Sequence, residues 1–239
     1  MGALILLLTK LKFLKVLLTA GSMVLAIAGY ATIFGWPFAA GFVALIFCHE
    51  MGHYVAARQR GLAVSLPMFI PFLGAYITLK DQPHDAEAEA YVAYAGPFVG
   101  SLACFAVYFL SRHYDSRLLL ALAQSGFLIN LFNLIPISPL DGGRITAVLS
   151  PRVWFIGLPV LVAFWFYHPS PLLLVIGILA LPRLMEAWRY DPAAPANRAY
   201  YGVPLATKIE YTGLYLVLVL VLAILSNLLH TELSKTLGQ

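Results

Sequence analysis

The feature that most constrains this chain is a group of three ionisable residues inside an apolar run. His49, Glu50 and His53 lie in the segment Leu45–Arg58, LIFCHEMGHYVAAR, which continues an apolar stretch that begins near Phe38. At membrane depth each such group costs roughly 2.5–3.5 kcal/mol or more unless it has a partner or a function. The run therefore predicts a membrane helix that carries chemistry.

The spacing of the three residues favours a metal site. Residues four apart on a helix lie on the same face, about 6 Å apart along the axis. His49 and His53 can therefore reach one metal ion, while Glu50 projects from the neighbouring turn beside it. In the His-Glu-x-x-His pattern two imidazoles bind zinc and the carboxylate acts as a general base. The alternative, two helix histidines satisfied by neighbouring groups, is usual for a lone histidine in a soluble core.

The composition of the chain indicates an integral membrane protein. Its 239 residues are 61% hydrophobic and 11% charged, whereas ordinary globular domains carry about 25% charged residues. The net charge of +4 fits juxtamembrane Lys and Arg better than a nucleic-acid patch. Two cysteines in apolar runs, Cys48 and Cys104, indicate no disulfide framework. We therefore expect the lipid bilayer as the surrounding medium and no nucleic acid as a partner.

The apolar runs predict an all-α polytopic membrane protein with about six transmembrane helices. Seven apolar runs could supply these helices: Val16–Phe34, Phe38–Ala57, Ala90–Leu110, Arg117–Ile135, Val153–Tyr167, Pro171–Ala187 and Tyr211–Leu229. The stretch between spans two and three, Leu62–Leu79, is interrupted by two prolines and a glycine. It predicts a re-entrant loop or short β-hairpin at membrane depth, or else an interfacial loop. An edge strand there could pair with an extended substrate.

The positive charges favour a cytoplasmic N-terminus. With that orientation twelve of the fifteen Lys and Arg residues fall on one side, and only Arg112, Arg117 and Lys235 fall on the other. This positive-inside bias also places Glu50 and Asp141 towards the cytoplasm. We expect a protein of the prokaryotic inner membrane whose N-terminus and active-site opening face the cytoplasm.

A catalytic zinc ion needs a third protein ligand beside the two imidazoles. The candidates are Asp141, in the bend NLIPISPLDGGR, and Glu186, near the end of a later span. Asp141 is favoured because the Pro- and Gly-rich bend leaves the backbone free to aim a short carboxylate. Glu186 lies between Arg183 and Arg189, where an interfacial salt bridge is a sufficient explanation.

A second polar position precedes this bend. Asn130 and Asn133 are three residues apart and therefore share one helix face. The Asn133 amide could donate a hydrogen bond to a developing oxyanion. Alternatively it could bond to a neighbouring helix, as polar residues in membrane helices often do.

HEMGHYVAAR followed by NLIPISPLDGGR resembles the site-2 protease family of intramembrane zinc metalloproteases, whose pattern pairs HExxH with Asn-x-x-Pro…Leu-Asp-Gly-Gly. The resemblance covers about residues 38–149. It implies one zinc ion per chain and cleavage of single-pass membrane proteins within or near their transmembrane segments. The site residues that it implies are His49, His53 and Asp141 as zinc ligands, Glu50 as the base and Asn133 near the scissile carbonyl.

The chain departs from other members of this family in two ways. Many relatives carry a PDZ insertion or a C-terminal pair of CBS domains, whereas here we expect a single domain over residues 1–239 with room for neither. Some members have Asn shortly after the Ala-Gly-Pro of span three, where this chain has Gly100-Ser101.

Three other functions fit the residues less well. A catalytically inactive relative that only binds transmembrane helices would not need all the catalytic residue types that are present. A diiron desaturase or hydroxylase needs several His clusters, whereas only four of the six His lie outside the motif. An ion or metal transporter could use Glu50 and Asp141, but it would not require His49 and His53 on either side of the glutamate.

Overall fold

The computed structural model describes residues 2–167 and 169–237, with side chains over 14–166 and 169–235. Within these ranges the chain forms nine α-helices and one two-stranded sheet. The helices are α1 (Gly2–Phe34), α2 (Trp36–Gln59), α3 (Ala86–His113), α4 (Arg117–Asn133), α5 (Asp141–Thr146), α6 (Trp154–Tyr167), α7 (Pro171–Trp188), α8 (Pro195–Tyr201) and α9 (Leu205–Leu237). Strands β1 (Met68–Ile70) and β2 (Gly74–Tyr76) lie between α2 and α3.

Five helices in the described part of the chain are long and apolar enough to cross a membrane. They are α2, α3, α7 and the larger parts of α1 and α9, Leu14–Phe34 and Leu205–Lys235. Of the remaining apolar helices, α4 has 17 residues and α6 has 14, and a bilayer span needs about 17–25. The predicted class, an all-α polytopic membrane protein, is confirmed, with five clear spans where the sequence predicts about six.

Local sequence sets the helix ends around the His-Glu-His motif. α2 begins directly after Gly35, whose φ of 79° lies in the left-handed region that favours glycine. Pro37 occupies the first turn of α2, where no intrahelical hydrogen bond is lost. α3 begins after Asp85, whose side chain accepts a hydrogen bond from the N–H of Ala88 at 2.8 Å.

The stretch between α2 and α3 forms a β-hairpin, one of the alternatives that its prolines and glycine predict. β1 and β2 pair antiparallel, with Phe69 opposite Ala75. The turn contains Phe72 with a φ of 65°, and β2 begins at Gly74 with a φ of 98°. The N–H of Phe69 donates to Ser22 Oγ at 3.2 Å, so the hairpin is attached to α1.

The core lies where α2, α3, α4 and α9 pack together. Phe127 of α4 is its largest fully buried side chain. It clusters with Leu45 of α2, Cys104 of α3 and Leu222 of α9. A Cβ on Gly126 would collide with Cys104 Sγ, so α3 and α4 approach each other closely at this glycine.

Candidate metal centre

Two buried histidines of α2 form the first part of a candidate metal centre. His49 and His53 are 6% and 4% exposed, and their ring centroids are 4.8 Å apart. α3 leaves space for the second ring, because a Cβ on Gly96 would collide with the His53 imidazole. The glycine of the Ala-Gly-Pro segment is therefore needed to admit His53.

Asp141, the first residue of α5, is 7% exposed and faces the same place. The two glycines after it bring α5 against the broken segment that follows α4. A Cβ on Gly142 would collide with the backbone of Leu134, and one on Gly143 with the backbone of the preceding loop. Trp154 Nε1 donates to the carbonyl of Gly143 at 2.7 Å. The Gly-Gly pair thus positions the carboxylate against the helix bundle.

The three side chains meet at one point. His49 Nε2 and His53 Nε2 are 3.1 Å apart, and each lies 3.2 Å from Asp141 Oδ2. Ligands about 2.0–2.1 Å from one tetrahedral zinc ion are about 3.3–3.4 Å from one another. The three atoms therefore have nearly the spacing of three ligands of a single ion. Among the described residues, these three form the one group of His, Cys, Asp or Glu side chains whose ligand atoms lie close enough together to hold a metal ion.

The hydrogen bonds of the two Nδ1 atoms determine which ring nitrogen of each imidazole carries a proton. His53 Nδ1 donates to the carbonyl of Val92 at 2.8 Å, and His49 Nδ1 donates to Asn130 Oδ1 at 2.8 Å. The Asn130 amide nitrogen is already engaged with the carbonyl of Gly126 at 2.8 Å, so its oxygen faces the ring. Both Nδ1 atoms therefore carry protons, so in the neutral form of each imidazole it is the Nε2 lone pair that faces the carboxylate. In that form three acceptor atoms converge, an arrangement that suits a bound cation.

Glu50 adds a second carboxylate to the buried site. Its side chain is 6% exposed, and its Oε2 atom makes no hydrogen bond to any residue that the structure describes. Burial of an unpaired carboxylate oxygen is costly. Its placement is what a base that acts on water or substrate requires.

The other two residues singled out in the sequence have different surroundings. Asn133 is half-buried at the end of α4, and its Nδ2 donates to the carbonyl of Ile129 at 3.1 Å. Its predicted contact with a substrate carbonyl stays a prediction. Glu186 is exposed on α7 and accepts a hydrogen bond from Arg183 at 2.9 Å. It forms the salt bridge that the sequence indicates and does not join the cluster.

The sequence did not reveal the partners of the two imidazoles. Asn130 stands out in the sequence only as sharing a face with Asn133. An amide within an apolar helix is the signal that could have identified it, because such groups need a hydrogen-bond partner. The carbonyl of Val92 has no sequence signal, since every residue carries one.

A further polar contact holds α5 in place. Arg144 Nε donates to Glu89 Oε1 of α3 at 3.3 Å, and the Tyr200 hydroxyl of α8 donates to Glu89 Oε2 at 2.6 Å. Burial and the neighbouring Glu89 carboxylate raise the pKa of Tyr200, so this hydroxyl remains a donor at neutral pH. The helix that begins with Asp141 is thus tied to α3 and α8.

Known proteins are similar to this chain in sequence. Residues 37–115, which include the His-Glu-x-x-His segment and end before Asp141, match the family model of peptidase family M50. A zinc metalloprotease of Methanocaldococcus jannaschii is 27% identical over 146 residues, 59% of this chain and 42% of the relative. The putative zinc metalloprotease Rip3 of Mycobacterium tuberculosis is 31% identical over 133 residues, 50% of this chain and 33% of the relative.

Two further similarities extend this comparison. The probable chloroplastic zinc metalloprotease EGY1 of Arabidopsis thaliana is 28% identical over 155 residues, 45% of this chain and 28% of the relative. A solved structure, the site-2 protease from Methanocaldococcus jannaschii, aligns with a TM-score of 0.46 and 22% identity over 72% of this chain and 88% of that one. The chain spans less than half the length of the curated relatives that it matches.

Proposed function

We propose, on the premise that this chain is a member of the site-2 protease family, that it is an intramembrane zinc metalloprotease. The match to peptidase family M50, which includes the first of the two motifs, and the zinc metalloprotease relatives support the premise. The proposed reaction is hydrolysis of a peptide bond within or near the transmembrane segment of a membrane-protein substrate.

The observation that carries the proposal is the convergence of two imidazole Nε2 atoms and one carboxylate oxygen in a buried site. His49, His53 and Asp141 would together hold one zinc ion per chain. When bound there, zinc would act as a Lewis acid on the scissile carbonyl and lower the pKa of a water molecule. The remaining steps are assigned to the protein's own side chains.

Glu50 would be the general base. Its buried carboxylate, with Oε2 free of hydrogen bonds to described residues, can take a proton from the attacking water and deliver it to the leaving amine. Asn133 would stabilise the negative charge that develops on the scissile carbonyl oxygen. One hydrogen of its amide nitrogen is engaged by Ile129, which leaves the second for the substrate.

The hairpin would present an edge to an extended substrate. Because the N–H of Phe69 bonds to Ser22, Phe69 and Ala75 form a non-hydrogen-bonded pair across the two strands. The backbone groups of Ala75 then point away from β1, towards the outer edge of β2. A peptide drawn out of a transmembrane helix could add to that edge as a further strand. We therefore assign the substrate to β2 and not to β1, whose own edge is engaged by α1.

The proposed setting is a prokaryotic inner membrane, with the N-terminus and the site opening towards the cytoplasm. The distribution of Lys and Arg supports it, and so does the position of Arg58 and Arg60, one to two turns after His53 at the end of α2. Cysteine scanning with an impermeant reagent tests the orientation. Labelling of cysteines near Arg60 from the external face alone would contradict it.

The central test compares membranes that contain the wild type, Glu50→Gln or the control Glu186→Gln. We expect a fragment cut within a transmembrane segment to appear with the wild type and the control. In Glu50→Gln turnover should fall by about 10²–10⁴-fold or more, because an amide of the same shape cannot accept the proton. Zinc content should be equal in all three. Cleavage by Glu50→Gln at nearly the wild-type rate would exclude Glu50 as the base.

A further inference from the structure

Asn130 is a fully buried amide that none of the proposed chemical steps uses. It is 2% exposed and lies in the last turn of α4. Its Oδ1 accepts a hydrogen bond from His49 Nδ1 at 2.8 Å, while its Nδ2 donates to the carbonyl of Gly126 at 2.8 Å and lies 3.7 Å from Cys104 Sγ. These contacts of the nitrogen fix the orientation of the amide, so the oxygen faces the imidazole.

α3 leaves the space in which this amide sits. A Cβ built on Gly100 would lie 2.5 Å from Asn130 Oδ1 and 3.0 Å from Nδ2. A larger residue at position 100 would therefore displace the amide from His49.

We propose that Asn130 is a positioning residue for the metal centre. Its oxygen holds His49 in the tautomer that leaves Nε2 free and turns that atom towards Asp141. Because Gly100 has no side chain, the Asn130 amide fits into this place. The inference rests on the proposed zinc site. His53 needs no such side chain, because the carbonyl of Val92 holds its ring in the same way.

A purely structural role for Asn130 would be a hydrogen bond that fastens α4 to α2. The two roles differ in what a substitution changes. A structural bond contributes to the melting temperature, whereas a positioning bond contributes to zinc affinity and depends on the oxygen acceptor. Groups that orient a metal-binding imidazole typically change metal affinity 10–100-fold when they are removed.

The test measures the zinc affinity of the full chain in detergent, by competition between protein and chelator for zinc alone, beside the melting temperature. Asn130→Leu has a similar volume without an acceptor, and we expect it to bind zinc about 10–100-fold more weakly. Asn130→Asp keeps an oxygen towards the ring but places its second oxygen against the carbonyl of Gly126, so we expect it to bind zinc more tightly than Asn130→Leu. Ser101→Ala is the control, because it removes a buried hydroxyl that bonds only to Pro97 of its own helix among the contacts described.

A double variant tests the geometry by moving the amide from α4 to α3. A Cβ built on Gly100 would lie 2.5 Å from Asn130 Oδ1. Within a single asparagine side chain, Cβ and Oδ1 are separated by two bonds and lie at a comparable distance. An asparagine at position 100 can therefore place its oxygen where that of Asn130 now lies. We expect Gly100→Asn combined with Asn130→Gly to recover most of the zinc affinity that Asn130→Gly alone loses.

The outcomes separate this inference from the function on which it rests. Wild-type zinc affinity in Asn130→Leu would overturn it, as would equal losses in Asn130→Asp and Asn130→Leu. If Asn130→Leu fails to fold, the double variant decides: recovery supports the proposal, and a folded double variant without recovery overturns it. A wild type that binds no zinc, or a His49→Ala variant that binds it equally well, would instead contradict the proposed zinc site.

Discussion

The site-bearing bundle and the outer helix α7 are packed in different ways. In the bundle of α2, α3 and α4, five glycines lie where a Cβ would collide with a neighbouring helix. They are Gly41, Gly52, Gly96, Gly100 and Gly126. α7 buries one apolar stripe at helical spacing, Leu173, Ile176, Ala180, Leu184 and Ala187. The Cβ position of its glycine, Gly177, meets nothing within 4 Å.

The difference shows where a membrane protein can hold a reactive centre. Glycines bring helix backbones close enough that neighbouring side chains and carbonyls fix an imidazole from several directions. Catalytic constellations need placement within about 0.5 Å, and an apolar stripe that packs only against other apolar side chains supplies no such constraint. Substitutions in the bundle should therefore affect zinc and turnover, whereas matched substitutions in α7 should not.

The largest contrast should come from two carboxylates, one in each region. Asp141→Asn should lose most of its zinc and its turnover, because an uncharged amide, which binds zinc weakly, replaces one of the three converging ligands, a carboxylate. Glu186→Gln should keep both, since an exposed ion pair contributes only about 0–1 kcal/mol. Elemental analysis of the purified variants measures the metal. Loss of zinc in Glu186→Gln and not in Asp141→Asn would mean that the site is built differently.

Two glycine substitutions give the next contrast. Gly96→Ala places a methyl group against the His53 ring, and overpacking of this kind typically costs about 1–3 kcal/mol. We expect a lower melting temperature and weaker zinc binding. Gly177→Ala adds the same methyl in open space and should stabilise α7 by up to about 1 kcal/mol. Equal zinc affinity in the two variants would show that the close contact at Gly96 is not needed by the site.

The hairpin should show an effect on cleavage without an effect on zinc. Gly74 has a φ of 98°, and a β-branched residue there carries backbone strain of about 1–3 kcal/mol. Gly74→Val, and separately Tyr76→Pro in β2, should lower cleavage of a transmembrane substrate while zinc content stays at the wild-type level. If both variants cleave normally, the hairpin is a passive connection.

The smallest effect should come from the tie between α8 and α3. Tyr200→Phe removes the hydroxyl that donates to Glu89, and a hydrogen bond to a charged group contributes about 1.5–3 kcal/mol when buried and less at this half-buried position. We expect a modest fall in melting temperature and unchanged zinc content. Tyr114→Phe, at an exposed position, is the matched control. Zinc loss in Tyr200→Phe would show that α8 contributes to the placement of Asp141.

The sequence predicted those residues of the site that are close together on one helix or that lie in a distinctive Pro- and Gly-rich bend. His49 and His53 follow from helix geometry, and Asp141 from the only Gly-Gly bend near a second polar face. It also separated Asp141 from Glu186 by the charges beside each. The hairpin was one of several alternatives, because prolines interrupt a helix without specifying what replaces it.

The remaining parts depend on contacts that no local pattern encodes. Asn130 lies 81 residues from His49 in the chain, so only the packing of α4 against α2 brings them together. Gly100 is explained only by the amide that fills its space. The number of spans was uncertain for a physical reason, since the length of α4, 17 residues, lies at the lower limit for crossing a bilayer.

The two imidazoles also differ in how a mutation can change their orientation. His53 is oriented by a main-chain carbonyl, which remains in place whichever residue occupies position 92. His49 is oriented by a side chain, so a single codon change at Asn130 alters its donor strength without touching a ligand. A substitution of the residue that supplies the hydrogen bond would therefore change the orientation of His49 but leave the hydrogen bond of His53 in place.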